Sequence, residues 1–239
     1  MESTLKTFKA TLKSIPLVGP ALIRVNERFR PMVAPKFSHS SQYWQERYAL
    51  GGNSGAGSYN RLAEFKAEII NQFVATSGIE SVVEFGTGDG NQLLLGEYPR
   101  FLGVDVSLVA VNSCRQRFRG DPTKSFMTLD EFRDAPHVSD LSLSLDVIYH
   151  LVEDDVFHDY MDRLFAAASR FVIVYASNED RPTTDSHVRH RQFTNWVLHN
   201  KPEWALVKKI DNRFPFDAAD PHNTSFADFY FFEKNTKTG

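Results

Sequence analysis

The chain has 239 residues, of which 42% are hydrophobic and 24% are charged, and its formal net charge is -3. This composition is that of a globular protein and excludes collagen-like, disordered and disulfide-scaffold proteins. Cys114 is the sole cysteine, which excludes intramolecular disulfides and multi-cysteine zinc sites and favours a reducing cytoplasm. The length favours one domain, and no apolar run approaches the roughly 18 residues that span a bilayer.

The first segment is basic, because residues 1–36 contain seven Lys or Arg and two Glu, so the charge divides into +5 here and -8 on the rest. One helical face carries four apolar side chains, Leu5, Phe8, Leu12 and Ile15. We expect residues 1–40 to form a basic amphipathic helical arm. Three roles are open for this arm: packing on its own domain, contact within a homodimer, or contact with the inner face of a membrane. The acidic remainder makes long nucleic acid an unexpected partner.

The next segment, residues 41–60, joins an aromatic and charged stretch to a glycine-rich run from Gly51 to Gly57. Such a run contains too much glycine for a helix or a strand and predicts a loop. We assign residues 41–239 to the main domain, with 41–60 as its first element.

The rest of the chain alternates strand-like and helix-like segments. Apolar and β-branched runs predict strands at 81–85, 101–105, 125–128, 141–145 and 171–175. Amphipathic patterns predict helices at 61–77, 108–118, 154–168 and 187–199. Two further strands, 205–211 and 226–233, would form an antiparallel hairpin at one sheet edge. The predicted fold is α/β: a Rossmann-like, doubly wound, mostly parallel sheet with that C-terminal hairpin.

The most informative motif is EFGTGDG at residues 84–90, which directly follows the first predicted strand. Its glycines allow a tight turn and let backbone N–H groups approach a ligand at the carboxyl end of a strand. It is not the dinucleotide-binding motif G-x-G-x-x-G, because the third place after Gly88 is Asn91. The carboxylates of Glu84 and Asp89 also oppose a bound pyrophosphate, so a cationic or neutral ligand is expected.

A second acidic position, Asp105, ends the second predicted strand, where a carboxylate can accept both hydroxyls of a ribose. Together with the glycine motif, it resembles the class I S-adenosylmethionine-dependent methyltransferases over about residues 41–175. The resemblance implies S-adenosyl-L-methionine as cofactor and S-adenosyl-L-homocysteine as product. It places Asp130 in the loop after the third strand, facing the adenine. The cofactor-binding residues expected from it are Glu84, Gly86, Thr87, Gly88, Gly90, Asp105, Val106, Asp130, Leu145, Tyr43 and Arg47.

The segment after the fourth strand resembles the substrate-facing segment of the same family. Residues 146–149 read Asp-Val-Ile-Tyr, whereas the enzymes that methylate adenine or glutamine nitrogen have Asn/Asp-Pro-Pro-Tyr/Phe there, which counts against a planar nitrogen as acceptor. A hydroxyl acceptor needs a general base, and His150 and Asp146 are the nearest candidates. Each has a structural alternative: His150 packs beneath the cofactor or caps the next helix, and Asp146 binds the cofactor ammonium or local backbone.

A second cluster lies at residues 187–191, which we expect to occupy one helical turn. His187 and His190 are alternative bases, and the cluster has the chemistry to bind an anionic or polyhydroxylated acceptor. The expected substrate-binding residues are Tyr149, Arg189 and Arg191. A solvated basic helix face is the alternative. A divalent metal is not favoured, because no compact ligand motif is present.

Residues 43–48 resemble the N-terminal lid of small-molecule methyltransferases, which closes over the cofactor and excludes water, so we expect residues 41–60 to form a lid or cap. The alternative is a helix that only packs on the sheet. The chain as a whole is similar to bacterial methyltransferases of uncharacterised specificity, some of them associated with surface polysaccharides, which implies O-methylation of a sugar or glycan hydroxyl. A small-molecule natural-product O- or N-methyltransferase and a non-catalytic cofactor-binding scaffold are the alternatives. An apolar acceptor pocket would favour the small molecule.

Overall fold

The structure is a computed structural model that describes residues 35–235. The predicted arm therefore lies outside the described residues, apart from residues 35–40. The helices are α1 Ser40–Ala49, α2 Asn60–Thr76, α3 Leu108–Arg117, α4 Leu129–Asp134, α5 Asp154–Ala166 and α6 Phe193–Asn200. The strands are β1 Val82–Phe85, β2 Phe101–Asp105, β3 Lys124–Thr128, β4 Ser139–Leu145, β5 Ala168–Ala176, β6 Trp204–Ile210 and β7 Asp228–Lys234.

The strands form one seven-stranded sheet in the order β3-β2-β1-β4-β5-β7-β6. The first five strands pair in parallel, and β7 pairs antiparallel to both β5 and β6. This arrangement confirms the predicted Rossmann-like sheet with an antiparallel hairpin at one edge. Parallel pairing brings the carboxyl ends of β1, β2 and β4 to the same edge of the sheet, where ligands bind in such folds.

Apolar side chains pack on both faces of the sheet. Val83 and Phe85 of β1 lie in one core with α5 residues such as Met161 and Leu164, while Val82 lies in the other core with residues of α2 and α3. Successive strand residues point to opposite faces, so a buried two-sided strand must be apolar at nearly every position. Glu84 is the exception in β1, and it is buried as well.

Two local predictions are wrong. The helix predicted from residue 187 begins at Phe193, and residues 187–192 are irregular; among them, Val188 is the one buried apolar side chain, so this stretch has no apolar face to pack as a helix. Asp130 lies on a helix and not in a loop, because Thr128 and Glu131 form a capping box that starts α4 directly after β3. Within residues 35–235, no helix is long and apolar enough to cross a membrane.

Candidate active site

A cavity of about 820 Å³, including its open mouth, lies at the carboxyl ends of β1, β2 and β4. Trp44 and Tyr48 of α1 line it on one side, together with Ser54 and Ser58 of the following segment. Its other walls come from strand ends and the segments after them: Phe85, Gly86, Asp105, Val106, Leu145, Asp146, Val147 and His150. A concave, mostly apolar site with a few polar groups is typical of ligand-binding cavities.

The glycine-rich loop after β1 packs closely against two neighbouring segments. Gly86 has φ +84°, and a Cβ there would lie 2.4 Å from a methyl carbon of Val147. Gly88 has φ +59°, and a Cβ there would lie 2.2 Å from the Ser54 hydroxyl oxygen. Both positions therefore require glycine, because of the left-handed backbone and because of these close approaches.

Asp105 is the acidic group that faces the cavity from the end of β2. One carboxylate oxygen accepts a hydrogen bond from the Gly88 backbone N–H at 2.9 Å, and the other accepts from the Ser107 N–H at 2.9 Å. Burial raises the pKa of Asp105 to about 6, against the opposing effect of these backbone donors. A carboxylate has roughly four lone-pair positions, so Asp105 can accept a further bond from a ligand.

Four other predicted cofactor-binding residues of the glycine motif lie behind the cavity lining: Glu84, Thr87, Gly88 and Gly90. Burial raises the pKa of the Glu84 carboxyl to about 7. Among residues 35–235 the buried Thr87 hydroxyl has no hydrogen-bond partner. Of the motif EFGTGDG, Phe85 and Gly86 are the residues that line the cavity.

Asp146, at the end of β4, is held from several sides. Its backbone is left-handed, with φ +60°. One carboxylate oxygen accepts from the Lys66 ammonium at 2.6 Å, and the other accepts from the Tyr149 hydroxyl at 2.9 Å. Proton uptake by Asp146 would break up its ion pair with Lys66, which makes this carboxylate a poor proton acceptor.

Lys66, which none of the sequence motifs includes, lies on α2 with only 1% of its surface exposed. A signal for it exists, because Leu62, Lys66 and Ile70 are spaced at i, i+4 and i+8 on the packed face of that helix. A lysine in such an apolar stripe requires a buried anionic partner, and Asp146 is that partner.

His150 lines the cavity and is held in one orientation. Its Nδ1 lies 3.0 Å from the backbone carbonyl oxygen of His187, and its ring packs edge-on against Trp44 at 4.9 Å between centroids. A carbonyl oxygen only accepts hydrogen bonds, so Nδ1 carries the proton and Nε2 keeps a free lone pair. Burial lowers the pKa of His150 to about 4, so the ring is neutral near pH 7.

We use the name lid for residues 40–59, which comprise α1 and the glycine-rich segment. At one end, the backbone N–H of Ser40 donates to the Glu153 carboxylate at 3.0 Å. At the other, the Ser54 N–H donates to the Asp89 carboxylate at 3.1 Å, while the Asp89 N–H donates to the Ser54 hydroxyl at 3.0 Å. The lid is therefore fastened at both ends across the cavity.

The two predicted lid contacts to the cofactor, Tyr43 and Arg47, do not line the cavity. Tyr43 is buried and stacks on the His187 ring at 4.8 Å between centroids. Arg47 donates through Nε to the Asn53 carbonyl oxygen at 2.8 Å. Both side chains thus stabilise the lid itself.

The second cluster does not reach the cavity. Arg189 and Arg191 donate to the backbone carbonyl oxygen of Val152 at 2.9 and 2.7 Å, and both pair with Asp154. The buried His190 is hydrogen-bonded to the Ser177 hydroxyl. These residues hold the segment after β4 in place, and His187 contributes through the carbonyl oxygen that orients His150.

Two further predicted positions lie beside the cavity. Tyr149 is buried, and its hydroxyl donates a hydrogen bond to the Asp146 carboxylate. Asp130 is exposed on α4, pairs with Arg133 at 3.0 Å and lines an outer groove that shares Val106 and Leu129 with the cavity. In the described part of the chain, no group of three or more His, Cys, Asp or Glu residues is placed to hold a metal ion.

No protein-family profile matches the chain, and no curated protein sequence matches it significantly. Solved structures do. The N-methyltransferase NodS from Bradyrhizobium japonicum WM9, solved with S-adenosyl-L-homocysteine, has a TM-score of 0.65 at 14% identity, over 82% of this chain and 99% of NodS. The methyltransferase domain of bacterial CtHen1 has a TM-score of 0.57 at 17% identity, over 72% and 97% of the two chains.

Magnesium protoporphyrin IX methyltransferase (ChlM) from Synechocystis PCC 6803, solved with S-adenosyl-L-homocysteine, matches over 96% of this chain and 99% of its own. Its TM-score is 0.56 at 12% identity. Likeness at such low identity is a statement about architecture and leaves the reaction to be argued from the site. The chain has the Rossmann-like fold that these methyltransferases share.

Proposed function

We propose that the chain is an S-adenosylmethionine-dependent methyltransferase that methylates a hydroxyl group. One observation carries the proposal: Asp105 and His150 line the same cavity. Asp105 is a buried carboxylate at the strand end where such groups accept ribose hydroxyls, and His150 is a neutral imidazole whose Nε2 has an unprotonated lone pair. The first group has the chemistry to bind the cofactor, and the second has the chemistry to accept a proton from an alcohol. The likeness in fold to methyltransferases solved with S-adenosyl-L-homocysteine supports the same function.

The residues present fit the cofactor. Asp105 keeps capacity to accept from a ribose hydroxyl, while Val106 and Leu145 supply apolar walls for a flat base. Gly86, which lines the cavity at the end of β1, would lie beside the amino-acid portion. When bound, S-adenosyl-L-methionine supplies a methyl group already activated by its sulfonium.

The work left to the chain is positioning, proton removal and exclusion of water. His150 Nε2 accepts the hydroxyl proton, and its ring is kept in place by the His187 carbonyl oxygen and by Trp44. Asp146 is a weaker candidate for the base, because proton uptake would break up its ion pair with Lys66. The lid covers the cavity and limits the entry of water.

The acceptor class follows from the side chains around His150. Trp44, Tyr48 and Val147 are aromatic or apolar, whereas Arg189 and Arg191 are bonded to backbone carbonyls elsewhere. This favours a compact small-molecule acceptor over a glycan chain. A single sugar unit remains a candidate, since a tryptophan face packs on the apolar face of a sugar as well as on an aromatic ring.

The test is transfer of an isotope-labelled methyl group from S-adenosyl-L-methionine to a panel of monosaccharide and phenolic acceptors. His150→Gln should lower kcat by about 100-fold or more, with cofactor affinity within about threefold of the unaltered chain, because the ring acts on the acceptor proton. The matched control is His158→Gln, at an exposed position of α5. Unchanged turnover in His150→Gln would exclude His150 as the base, and cofactor binding without transfer to any acceptor would favour a scaffold.

A further inference from the structure

Lys66 is a buried cation that pairs with Asp146, a residue of the cavity wall. Its ammonium lies 2.6 Å from the Asp146 carboxylate and 5.4 Å from the centroid of the Tyr175 ring. Asp146 itself lines the cavity. The ion pair therefore cancels a negative charge that would otherwise face any ligand bound there.

A charged pair is a costly way to fill this position. Desolvation of two buried ions largely offsets their attraction, and an apolar pair of similar volume often gives equal or greater stability. The surroundings are also tight, because a Cβ on Gly57 would lie 2.6 Å from the same Asp146 oxygen. Packing and stability alone do not explain why this pair is charged, whereas its place in the wall of the cavity offers an electrostatic role.

We propose that Lys66 sets the charge balance of the cavity, so that the cationic methyl donor is not held far more tightly than its uncharged thioether product. The inference rests on the proposed function. S-adenosyl-L-methionine carries a positive sulfonium, and S-adenosyl-L-homocysteine does not. An uncompensated carboxylate would stabilise the bound donor more than a transition state in which the charge on sulfur is dispersing, and this would slow transfer.

Lys66 is in this account a positioning residue that acts through Asp146. Its ammonium neutralises the carboxylate and fixes it together with the Tyr149 hydroxyl. A purely structural role would change the affinities for donor and product alike, because the two ligands differ by one methyl group and one charge. The ratio of the two affinities therefore isolates the electrostatic role.

The experiment is a set of calorimetric titrations of the full chain with S-adenosyl-L-methionine and with S-adenosyl-L-homocysteine. Four proteins are compared: the unaltered chain, Lys66→Gln, Asp146→Asn and the double variant. We expect Lys66→Gln to shift the affinity ratio toward the donor by about fivefold or more, and Asp146→Asn to shift it toward the product by a similar factor. The double variant restores neutrality and should lie within about twofold of the unaltered chain.

Glu84 requires a control, because the Lys66 charge lowers the pKa of this carboxyl against the larger effect of burial. Proton uptake by Glu84 in Lys66→Gln would hide the loss of positive charge. The titrations are therefore made at pH 8.5, in two buffers of different ionisation enthalpy, so that any proton taken up on binding is measured and included.

For each variant we expect the ratio of donor affinity to product affinity to change in a stated direction. If one variant misfolds, the others still test the inference. The inference is supported if the ratio of donor affinity to product affinity rises as the net charge at positions 66 and 146 becomes more negative from one variant to the next. The same ratio in all folded variants, or a double variant shifted as far as the singles, overturns it. Failure of the unaltered chain to bind either ligand would instead overturn the proposed function on which the inference rests.

Discussion

At the scale of residues, the cavity region holds two carboxyl groups whose burial opposes ionisation. Burial raises the pKa of Glu84 to about 7 and that of Asp105 to about 6. A raised acid pKa means that the folded chain binds the proton more tightly than the unfolded chain does. Glu84 therefore contributes most to stability at low pH, and this contribution is lost as the pH rises through 7.

This sign leads to a stability prediction for Glu84→Gln. The free energy of unfolding of the unaltered chain should decrease between about pH 4.5 and pH 7. In Glu84→Gln this decrease should be smaller by about 3 kcal/mol, because the glutamine does not titrate. Urea unfolding at pH 5 and pH 8 measures the difference. Glu80→Gln, at an exposed position, is the control, and an identical pH dependence of Glu84→Gln and the unaltered chain would show that Glu84 does not titrate in this way.

At the scale of elements, we propose that the lid determines access to the cavity. Ser54 connects it to the glycine-rich loop, because its hydroxyl accepts from the Asp89 N–H and pairs with the Tyr48 hydroxyl at 3.0 Å. Tyr59 adds a bond to the Asp89 carboxylate at 2.7 Å. On this proposal, a ligand bound beneath the contact is released faster when the contact opens.

Ser54→Ala should therefore speed cofactor dissociation. Loss of these hydrogen bonds costs about 1 kcal/mol, which corresponds to roughly a fivefold increase in the dissociation rate, with the association rate less affected. Stopped-flow displacement of bound S-adenosyl-L-homocysteine measures it. Ser38→Ala, at an exposed position just before the lid, should leave the rate unchanged, and an unchanged rate in Ser54→Ala itself would show that the lid contact does not limit release.

Some elements and site residues were predictable from the sequence, and others depend on contacts that only the fold creates. The strand β2 was predictable to the residue and the other strands to within a few residues at each end, because apolar runs flanked by polar residues define buried strands. The start of α6 was not, since residues 187–192 use their polar side chains to bind distant backbone, as Arg191 does with Val152. Asp105 was identifiable from its spacing to the glycines, whereas the Lys66–Asp146 pair joins positions 80 residues apart and only the fold brings them together.

At the scale of the whole molecule, charge is divided unevenly along the chain. The basic segment 1–36 carries +5 and the remainder -8. We propose that this segment attaches the protein to an anionic membrane surface, where each Lys or Arg contributes about 1 kcal/mol of attraction.

Vesicle sedimentation tests this attachment. The full chain should pellet with vesicles that contain anionic lipid and should be released by about 0.5 M salt, because screening weakens the attraction. A chain that begins at residue 35 should stay in the supernatant and keep its cofactor affinity. Equal pelleting of both chains, or no pelleting of the full chain, would exclude the basic segment as the attachment.

Calorimetric titration measures whether the cavity binds S-adenosyl-L-methionine through Asp105. The full chain is titrated with S-adenosyl-L-methionine and with NAD, beside Asp105→Ala and the exposed control Asp134→Ala. We predict micromolar binding of S-adenosyl-L-methionine only, weakened about 30-fold or more in Asp105→Ala through loss of the charged acceptor and unchanged in the control. Absence of binding, or equal affinity in Asp105→Ala, would contradict the account.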